Sequence, residues 1–270
     1  LMRTTYQYTI ILGDISRIYK FKKQKQMNNQ IVLDKLKSLK LVGMEKTYSS
    51  ILSLPIHEQP NFQLVVNRIV DAEMEHRQQH KSNINLKLSK MRYNAVIEQV
   101  ECNTQRNLTQ DQMFSIADCN FINRADNILI TGATGCGKSY LACAIGRQAC
   151  TLGYKTIYFG MGRLMEKLAQ SKIDGSYLKF INYLAKINLQ IIDDFGLHPL
   201  DANTRLALLQ ILEDRHGLKS TMIISQLPTQ NWYDYIGEPT IADAILDRVF
   251  SNAHKFDLKG ESLRRKIVKN

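Results

Sequence analysis

The eight residues Gly132–Ser139, with the sequence GATGCGKS, are the stretch whose residue types and spacing point most directly to chemistry. They fit the pattern G-x-x-x-x-G-K-[ST], in which a glycine-rich backbone turns its N–H groups toward phosphate oxygens. The apolar run NILIT precedes the stretch and a helix-like segment follows it, as a phosphate-binding loop requires. The sequence therefore predicts a nucleoside triphosphate site.

Within Gly132–Ser139 the residue types have separate tasks. The glycines let the backbone turn sharply, and the helix that begins near Lys138 adds the positive end of its dipole. We expect Lys138 to reach the β- and γ-phosphates of ATP and the hydroxyl of Ser139 to ligate Mg²⁺. The predicted cofactor-binding residues are those of this stretch, Gly132, Ala133, Thr134, Gly135, Cys136, Gly137, Lys138 and Ser139, together with the next residue, Tyr140.

A second motif, LQIIDDF at residues 189–195, ends an apolar strand in two carboxylates. Adjacent acids at such a position are costly unless they are paired or bound to a metal. We expect Asp193 to organise Mg²⁺ and Asp194 to orient or deprotonate the attacking water. One further strand, TIYFG, separates the two motifs, the arrangement of ATPases that carry an acid next to the magnesium aspartate. Hydrolysis is therefore favoured over phosphoryl transfer to a small molecule.

Polar residues after the later strands each have two interpretations. Gln226, where TMIISQLP leaves a strand, either senses the γ-phosphate or holds the water, or it belongs to an ordinary strand exit. Arg248 lies in the amphipathic segment PTIADAILDRVF. It either pairs locally with Asp247 or Asp243, or it completes the ATP site of a neighbouring subunit as an arginine finger.

Two more arginines, Arg264 and Arg265, follow the last predicted strand in the segment GESLRRK. Three roles are open for them: an approach to the nucleotide, a contact with DNA, or simple solvation. We include Arg264 among the candidate nucleotide-binding residues.

The elements that position these residues follow from short β-rich runs that alternate with helical segments. The runs are NILIT, TIYFG, LQIIDDF, TMIIS and KFDL. Such alternation predicts an α/β fold, a P-loop core with a parallel five-stranded sheet flanked by helices. We assign residues 111–270 to this ATPase domain and residues 27–110 to a small, mainly helical N-terminal module. Residues 1–26 are a basic extension, either a flexible arm or the result of a misassigned start codon.

The formal net charge of +11 over 270 residues favours a polyanionic partner. From Arg77 to Arg92 the chain carries five cations and no acid, which fits either a solvated helix face or a surface that contacts DNA phosphates. No base-reading motif is visible, so we expect double-stranded DNA to be bound with little sequence specificity. The DNA-binding candidates are Arg77, Lys81, Lys87, Lys90 and Arg92.

The remaining composition excludes some classes of protein. No stretch approaches the roughly 18 consecutive apolar residues of a membrane-spanning helix, and YTIIL near the N-terminus makes a poor signal sequence. We therefore expect a cytoplasmic protein without a membrane partner. The five cysteines contain no C-x-x-C pair, and the regular spacing of Cys136, Cys143 and Cys150 favours core packing over metal binding or disulfides.

Taken in order, the motifs GATGCGKS, LQIIDDFG, IISQLP, GEPTIADAILDRV and LKGESLRRK closely resemble those of the IstB-like transposition helper ATPases, relatives of the DnaC helicase loaders within the AAA+ superfamily. The resemblance covers roughly residues 31–269 and is strongest from residue 123. It implies an AAA+ core that uses ATP and Mg²⁺, binds DNA and forms homo-oligomers with composite ATP sites. It also implies recruitment and stimulation of the transposase encoded by the same element. By this resemblance, Arg248 matches the family's interface arginine.

Two other functions stay open on the sequence. A DnaC-like replicative helicase loader would share the core and differ in the partner that residues 27–110 bind. A nucleotide-binding scaffold would share the cradle and have negligible hydrolysis. The cradle departs from the common Gly-Pro-Pro-Gly-Thr-Gly-Lys form at Ala133, Thr134 and Cys136, which are variable positions, so nucleotide binding is still expected.

Overall fold

The computed structural model describes residue 24 and residues 27–263. The rest of the basic extension 1–26 and the predicted nucleotide contact Arg264 lie outside the described residues. The described residues form two compact units that divide in sequence after His80. The expected domain boundary near residue 110 stays a prediction.

The first unit is helical. A helix over residues 27–38 (α1) is followed by α2 (Val42–Ser53) and α3 (Phe62–Ser89), whose last turns belong to the second unit. The backbone N–H of Gly43 donates to the carboxylate of Glu73 at 2.9 Å, and a Cβ at Gly43 would lie 2.3 Å from the carbonyl oxygen of Ala72. A glycine at this position therefore lets α2 begin in direct contact with the backbone of α3.

One parallel sheet organises the second unit. Its strands are β1 (Asn127–Gly132), β2 (Thr156–Gly160), β3 (Leu189–Phe195), β4 (Ser220–Ser225) and β5 (Ala253–Leu258). Their order across the sheet is β2-β3-β4-β1-β5, with every neighbouring pair parallel. The strands are short, rich in isoleucine and leucine, and largely buried, as expected for a sheet covered on both faces. The predicted α/β class with five parallel strands is confirmed.

Helices cover both faces of this sheet. They are α4 (Gln110–Ala117), α5 (Asn120–Asn123), α6 (Lys138–Thr151), α7 (Met161–Ile173), α8 (Tyr177–Ala185), α9 (Ala202–Arg215), α10 (Trp232–Ile236) and α11 (Pro239–Phe250). Helices α4, α5 and α6 enclose one apolar core, and α7 to α11 enclose the other. The crossover helices thus bury the sheet between two cores.

The spatial order of the strands corrects one expectation from the sequence. A strand does separate β1 from β3 in the sheet, but it is β4, and β2 with the sequence TIYFG lies at the sheet edge beyond β3. After β1 the chain crosses two strand positions before it returns, so the order along the chain is not the order across the sheet. As a result, the end of β4 and not the end of β2 lies between the two nucleotide motifs.

The cysteine side chains are unpaired and mostly buried. All five thiols are free, and those of Cys119, Cys136, Cys143 and Cys150 are buried. Burial raises the pKa of Cys119 to about 12, which keeps this thiol protonated. Across the described ranges, no helix is both long enough and apolar enough to cross a membrane.

Candidate nucleotide-binding site

A cavity of about 610 Å³ opens at the carboxyl edge of the sheet, where β1, β3 and β4 end. Loops at this edge of a parallel sheet are the usual place for a ligand, and the volume suits a nucleotide. Its lining includes Thr134, Gly135, Gly137, Lys138, Ser139, Tyr140, Asp194 and Gln226. The structure therefore brings the glycine-rich loop, the acid pair and Gln226 together.

The glycines of the loop have the backbone conformation that the motif predicts. Gly132, Gly135 and Gly137 have φ angles of 141°, 86° and 94°, which L side chains rarely adopt. A Cβ at Gly132 would lie 2.1 Å from the carbonyl oxygen of Leu258, and one at Gly135 would lie 2.2 Å from Ser262 Oγ. Two of the glycines are thus also required by the close approach of the last residue of β5 and of the chain that follows it.

The helix α6 starts at this loop without a side-chain cap, because Gly137 occupies the N-cap position. The first N–H groups of a helix have no partner within the helix, so this end is suited to bind phosphate. Lys138 is largely buried, and its Nζ donates to the carbonyl oxygens of Gly132 and Ala133 at 2.7 and 2.8 Å. Ser139 lines the cavity next to it.

Asp193 is buried at the end of β3 and is held by two hydrogen bonds. The hydroxyl of Tyr158 on β2 donates to Oδ2 at 2.5 Å, and the backbone N–H of Asp194 donates to Oδ1 at 2.8 Å. Burial and the adjacent Asp193 raise the pKa of Tyr158, so the phenol keeps its proton as a donor. The two bonds fix the orientation of the Asp193 carboxylate.

Asp194 differs from its neighbour in exposure and in backbone conformation. Its φ angle is 60°, a left-handed conformation that is rare for a residue other than glycine and is concentrated at functional sites. The carboxylate reaches the cavity, and its Oδ2 lies 3.4 Å from Nη1 of Arg92. A predicted DNA-binding candidate is therefore in contact with the predicted catalytic acid.

Gln226 follows β4 and contacts the glycine-rich loop. The hydroxyl of Thr134 donates to Gln226 Oε1 at 2.6 Å. Because β4 lies between β1 and β3, this amide is placed between the loop and the acid pair. The position is compatible with the predicted contact to the γ-phosphate or the water.

Part of the cavity lining is apolar and aromatic. The rings of Tyr93 and Tyr140 lie 6.4 Å apart, and the hydroxyl of Tyr140 donates to Gln99 Oε1 at 3.1 Å. The other apolar lining residues are Val100, Leu108, Leu141, Leu197, Leu258 and Leu263. Such a surface suits a nucleobase and ribose, and Tyr140, a predicted nucleotide contact, belongs to it.

Arg106 is a second cationic lining residue that the sequence motifs do not indicate. It belongs to a short 3₁₀ turn, Thr104–Arg106, whose last carbonyl accepts from the backbone N–H of Lys259 at 3.0 Å. Its guanidinium lies beside Gly137 and pairs with Glu101 at 3.7 Å. Neither Arg92 nor Arg106 belongs to a recognisable motif; the basic run from Arg77 to Arg92 drew attention to Arg92, and no sequence signal marked Arg106.

Arg248 lies at the opposite edge of the sheet from the cavity. The side chain of Asn127, the first residue of β1, donates to the carbonyl oxygen of Arg248 at 2.9 Å, whereas the glycine-rich loop follows the last residue of β1. The guanidinium pairs with Glu213, approaches Asp247 at 3.9 Å and donates to the carbonyl oxygen of Ala244. Arg248 therefore has a local ion pair, but its closer partner is Glu213 and not the expected Asp247 or Asp243, and it does not line the cavity of its own chain.

The basic run from Arg77 to Arg92 has different environments along its length. Arg77 pairs with Glu73 one turn earlier in α3 at 2.8 Å. Lys81, Lys87 and Lys90 are exposed, and Lys90 ends the helix with a φ angle of 54°. Contact with DNA stays a prediction for all five candidates.

Comparison with known proteins places this site in a family. The family model of the IstB-like ATP binding protein matches residues 34–270. This chain belongs to the IstB-like family. A relative from Sinorhizobium fredii, named as an insertion sequence ATP-binding protein, is 41% identical over 233 residues, which are 86% of this chain and 95% of the relative. A second, from the insertion sequence IS1162 of Pseudomonas fluorescens, is 34% identical over 75% of this chain and 88% of its own length.

Solved structures confirm the AAA+ fold of this IstB-like protein. The DnaC helicase loader aligns with a TM-score of 0.52 at 18% identity and covers 63% of this chain and 99% of its own. DnaI aligns with the same TM-score of 0.52 at 19% identity and covers 62% of this chain and 92% of its own. At this level of identity the likeness shows the fold alone.

The donor set of the IstB-like site also fits the magnesium ion that a triphosphate carries. Mg²⁺ prefers oxygen ligands and is usually held by one or two protein oxygens together with substrate phosphates and waters. Ser139 supplies a hydroxyl and Asp193 a carboxylate at the carboxyl edge of the sheet. These are the two residues that would hold the ion.

Proposed function

We propose that this protein is an ATP-dependent DNA-binding helper that oligomerises on DNA and recruits or stimulates the transposase of its insertion sequence, with ATP hydrolysis controlling the assembly. Membership in the IstB-like family, whose relatives are named as insertion sequence ATP-binding proteins, supports the link to an insertion sequence and to ATP. The observation that carries the hydrolytic part is the acid pair Asp193 and Asp194, which ends β3 beside the glycine-rich loop.

Within one protomer the residues divide the chemistry of ATP hydrolysis. Lys138 and the first N–H groups of α6 bind the β- and γ-phosphates, and the cavity lining that includes Tyr93 and Tyr140 binds the nucleoside. Asp194 orients the attacking water and accepts its proton, and Gln226 holds the water or the γ-phosphate. Mg²⁺ on Ser139 and Asp193 would supply neutralisation of the phosphate charge.

The two arginines that line the cavity within the described residues, Arg92 and Arg106, are paired with Asp194 and Glu101. Arg248 lies at the other edge of the sheet, so the proposal assigns it to the nucleotide of a neighbouring protomer. This transfer requires Arg248 to exchange Glu213 and Ala244 for the γ-phosphate. Hydrolysis is then coupled to assembly, because only an assembled pair completes the site.

Exposed cations in and after the helix α3 are the proposed contacts for double-stranded DNA. Lys81, Lys87 and Lys90 are exposed, and Arg77 carries its charge on the same helix. Such contacts bind phosphate without reading bases, and each neutralised phosphate adds about −0.9 to the log–log dependence of affinity on salt. A flat salt response would remove this surface from the proposal.

The substitution Asp194→Asn tests the hydrolytic role. Because the amide keeps the shape of the carboxylate but cannot accept the proton, we expect turnover to fall by about 10²- to 10⁴-fold while ATP binding is retained and the DNA-bound assembly persists. Steady-state ATPase rates and DNA gel shifts measure the two effects. The matched control is Asp234→Asn, an exposed acid of α10. Normal turnover by Asp194→Asn would disprove the assignment.

The fold is shared with helicase loaders, so a second experiment separates the two kinds of partner. A transposition helper stimulates strand transfer by the transposase of its own element, and Lys138→Ala removes that stimulation. A loader instead binds a replicative helicase through residues 27–110. Helicase binding without any effect on strand transfer would favour the loader.

A further inference from the structure

Arg92 has a fixed place between the end of α3 and the acid pair. Its neighbours Met91 and Tyr93 pack against the apolar core that α6 covers, so the backbone on both sides of Arg92 is anchored. The guanidinium extends to the cavity, where Nη1 lies 3.4 Å from Asp194 Oδ2. A cation from outside every nucleotide motif is thus held against the acid that we assign to catalysis.

The Tyr158 side chain lies near the same guanidinium, because both residues line a groove at the end of β2. This neighbour is the largest cause of the raised pKa of Arg92. The Tyr158 hydroxyl in turn donates to Asp193. Arginine can only donate, so the phenol oxygen is able to accept from Arg92 while its O–H donates to Asp193. One side chain therefore contacts one acid directly and lies near the phenol that binds the other.

Asp194 needs such a support because the strand does not hold it. The pairing of β3 with β4 is irregular between Ile192 and Phe195, and Asp194 has a left-handed backbone. Its side chain is 31% exposed, which leaves room for other rotamers. A group that orients water must stay within about 0.5 Å of its productive position, and an error of about 1 Å can cost about 10²-fold in rate.

We propose that Arg92 is a positioning residue for ATP hydrolysis, which holds Asp194 directly and Asp193 through Tyr158 in the orientation that activates water. The inference rests on the proposed role of Asp194. It gives Arg92 a different task from the other cations of the basic run, because its guanidinium is engaged with the Asp194 carboxylate, which a DNA phosphate would have to displace.

The main test compares Arg92→Ala with Arg163→Ala in the full-length protein, with ATP, Mg²⁺ and duplex DNA. Arg163 is 77% exposed and pairs with Glu166 within α7, so its removal deletes the same charge without touching either acid. We expect Arg92→Ala to lower kcat by about 10²-fold and to leave KM for ATP within about threefold. Arg163→Ala should leave both unchanged. Arg92→Lys should recover part of kcat, because lysine keeps the charge but lacks the planar guanidinium that can reach Asp194 and Tyr158 at once.

A second variant tests the connection through the phenol. Tyr158→Phe removes the hydroxyl that joins Arg92 to Asp193 and keeps the ring in the core. If the residues act as one network, the double variant Arg92→Ala/Tyr158→Phe should lose less kcat than the sum of the two losses in free energy. Additive losses would overturn the connection.

The outcomes distinguish this inference from other roles of Arg92. An unchanged kcat disproves it, and so does a raised KM with unchanged kcat, which would indicate direct binding of phosphate. A reduced salt dependence of DNA affinity with normal kcat would indicate a DNA contact and would also disprove it. If Arg92→Ala fails to fold in a thermal unfolding assay, Arg92→Lys decides by the same criteria. Asp194→Asn with normal turnover would remove the proposed function itself, whereas an inactive Asp194→Asn with a normal Arg92→Ala would remove only this inference.

Discussion

The two edges of the sheet in the second unit use arginine in opposite ways. At the carboxyl edge, Arg92 faces acids that line a cavity. At the amino edge, Arg215 is 1% exposed, and its donors bind Thr221 and the backbone carbonyls of Leu184, Ile187 and Ser220. One edge keeps charge available to a ligand, while the other uses charge to tie the chain together.

The difference shows that the kind of partner, more than burial, indicates the role of an arginine. Burial lowers the pKa of Arg215 to about 9, so this guanidinium is still charged at neutral pH. Among the described residues its hydrogen-bond partners include no carboxylate, and carbonyl oxygens disperse the charge instead. Arg248, also at the amino edge, is partly exposed and pairs with the surface residue Glu213, a partner that it can leave.

The largest expected effect concerns Arg248. Because its site would be completed in another protomer, Arg248→Ala should lower DNA-stimulated turnover of the assembled protein by about 10³-fold. ATP binding by isolated protomers should be unchanged. Nucleotide titration of dilute protein and ATPase rates with saturating duplex DNA measure the two quantities, with Arg163→Ala as control. Equal losses in dilute and assembled protein would show that Arg248 acts within its own chain.

Lys138→Ala should have the next largest effect, now at the carboxyl edge. Removing a buried ammonium deletes charge-assisted hydrogen bonds to phosphate worth about 1.5–3 kcal/mol each, so ATP affinity should fall by about 10²-fold or more. Titration with a fluorescent ATP analogue measures this loss. Lys179→Ala, an exposed position of α8, should bind normally. Unchanged affinity in Lys138→Ala would contradict the phosphate site.

Arg215→Met should change stability and leave the site intact. The substitution leaves buried carbonyl groups without donors, at a cost of about 1–3 kcal/mol for each unsatisfied group, so we expect unfolding to become easier by about 3 kcal/mol. Urea denaturation measures the change. Arg163→Met on the exposed face of α7 should differ from the unsubstituted protein by no more than about 0.5 kcal/mol. A loss of ATP affinity in folded Arg215→Met would contradict the purely structural role of Arg215 at the amino edge.

Features encoded in short stretches could be predicted from the sequence. The glycine-rich loop, the acid pair and the five strands each depend on neighbouring residues, and the structure has the strands where the apolar runs are. The contact between Arg92 and Asp194 joins residues 102 positions apart, and no local pattern marks it. In the same way, the sequence showed the strand TIYFG but not its place at the sheet edge, which depends on how far the chain crosses after β1.

The placement of Arg248 has a consequence for symmetry. An arginine at the amino edge that serves a nucleotide at the carboxyl edge of another copy joins two unlike surfaces. Such a head-to-tail interface cannot be closed by a two-fold axis, and it yields either a ring or an open helix. In an open helix, the nucleotide at one end has no neighbouring protomer to supply Arg248, and the Arg248 at the other end has no nucleotide to contact. The turnover per protomer of such an array would then rise with its length. Subunits would also join and leave its two ends at different rates.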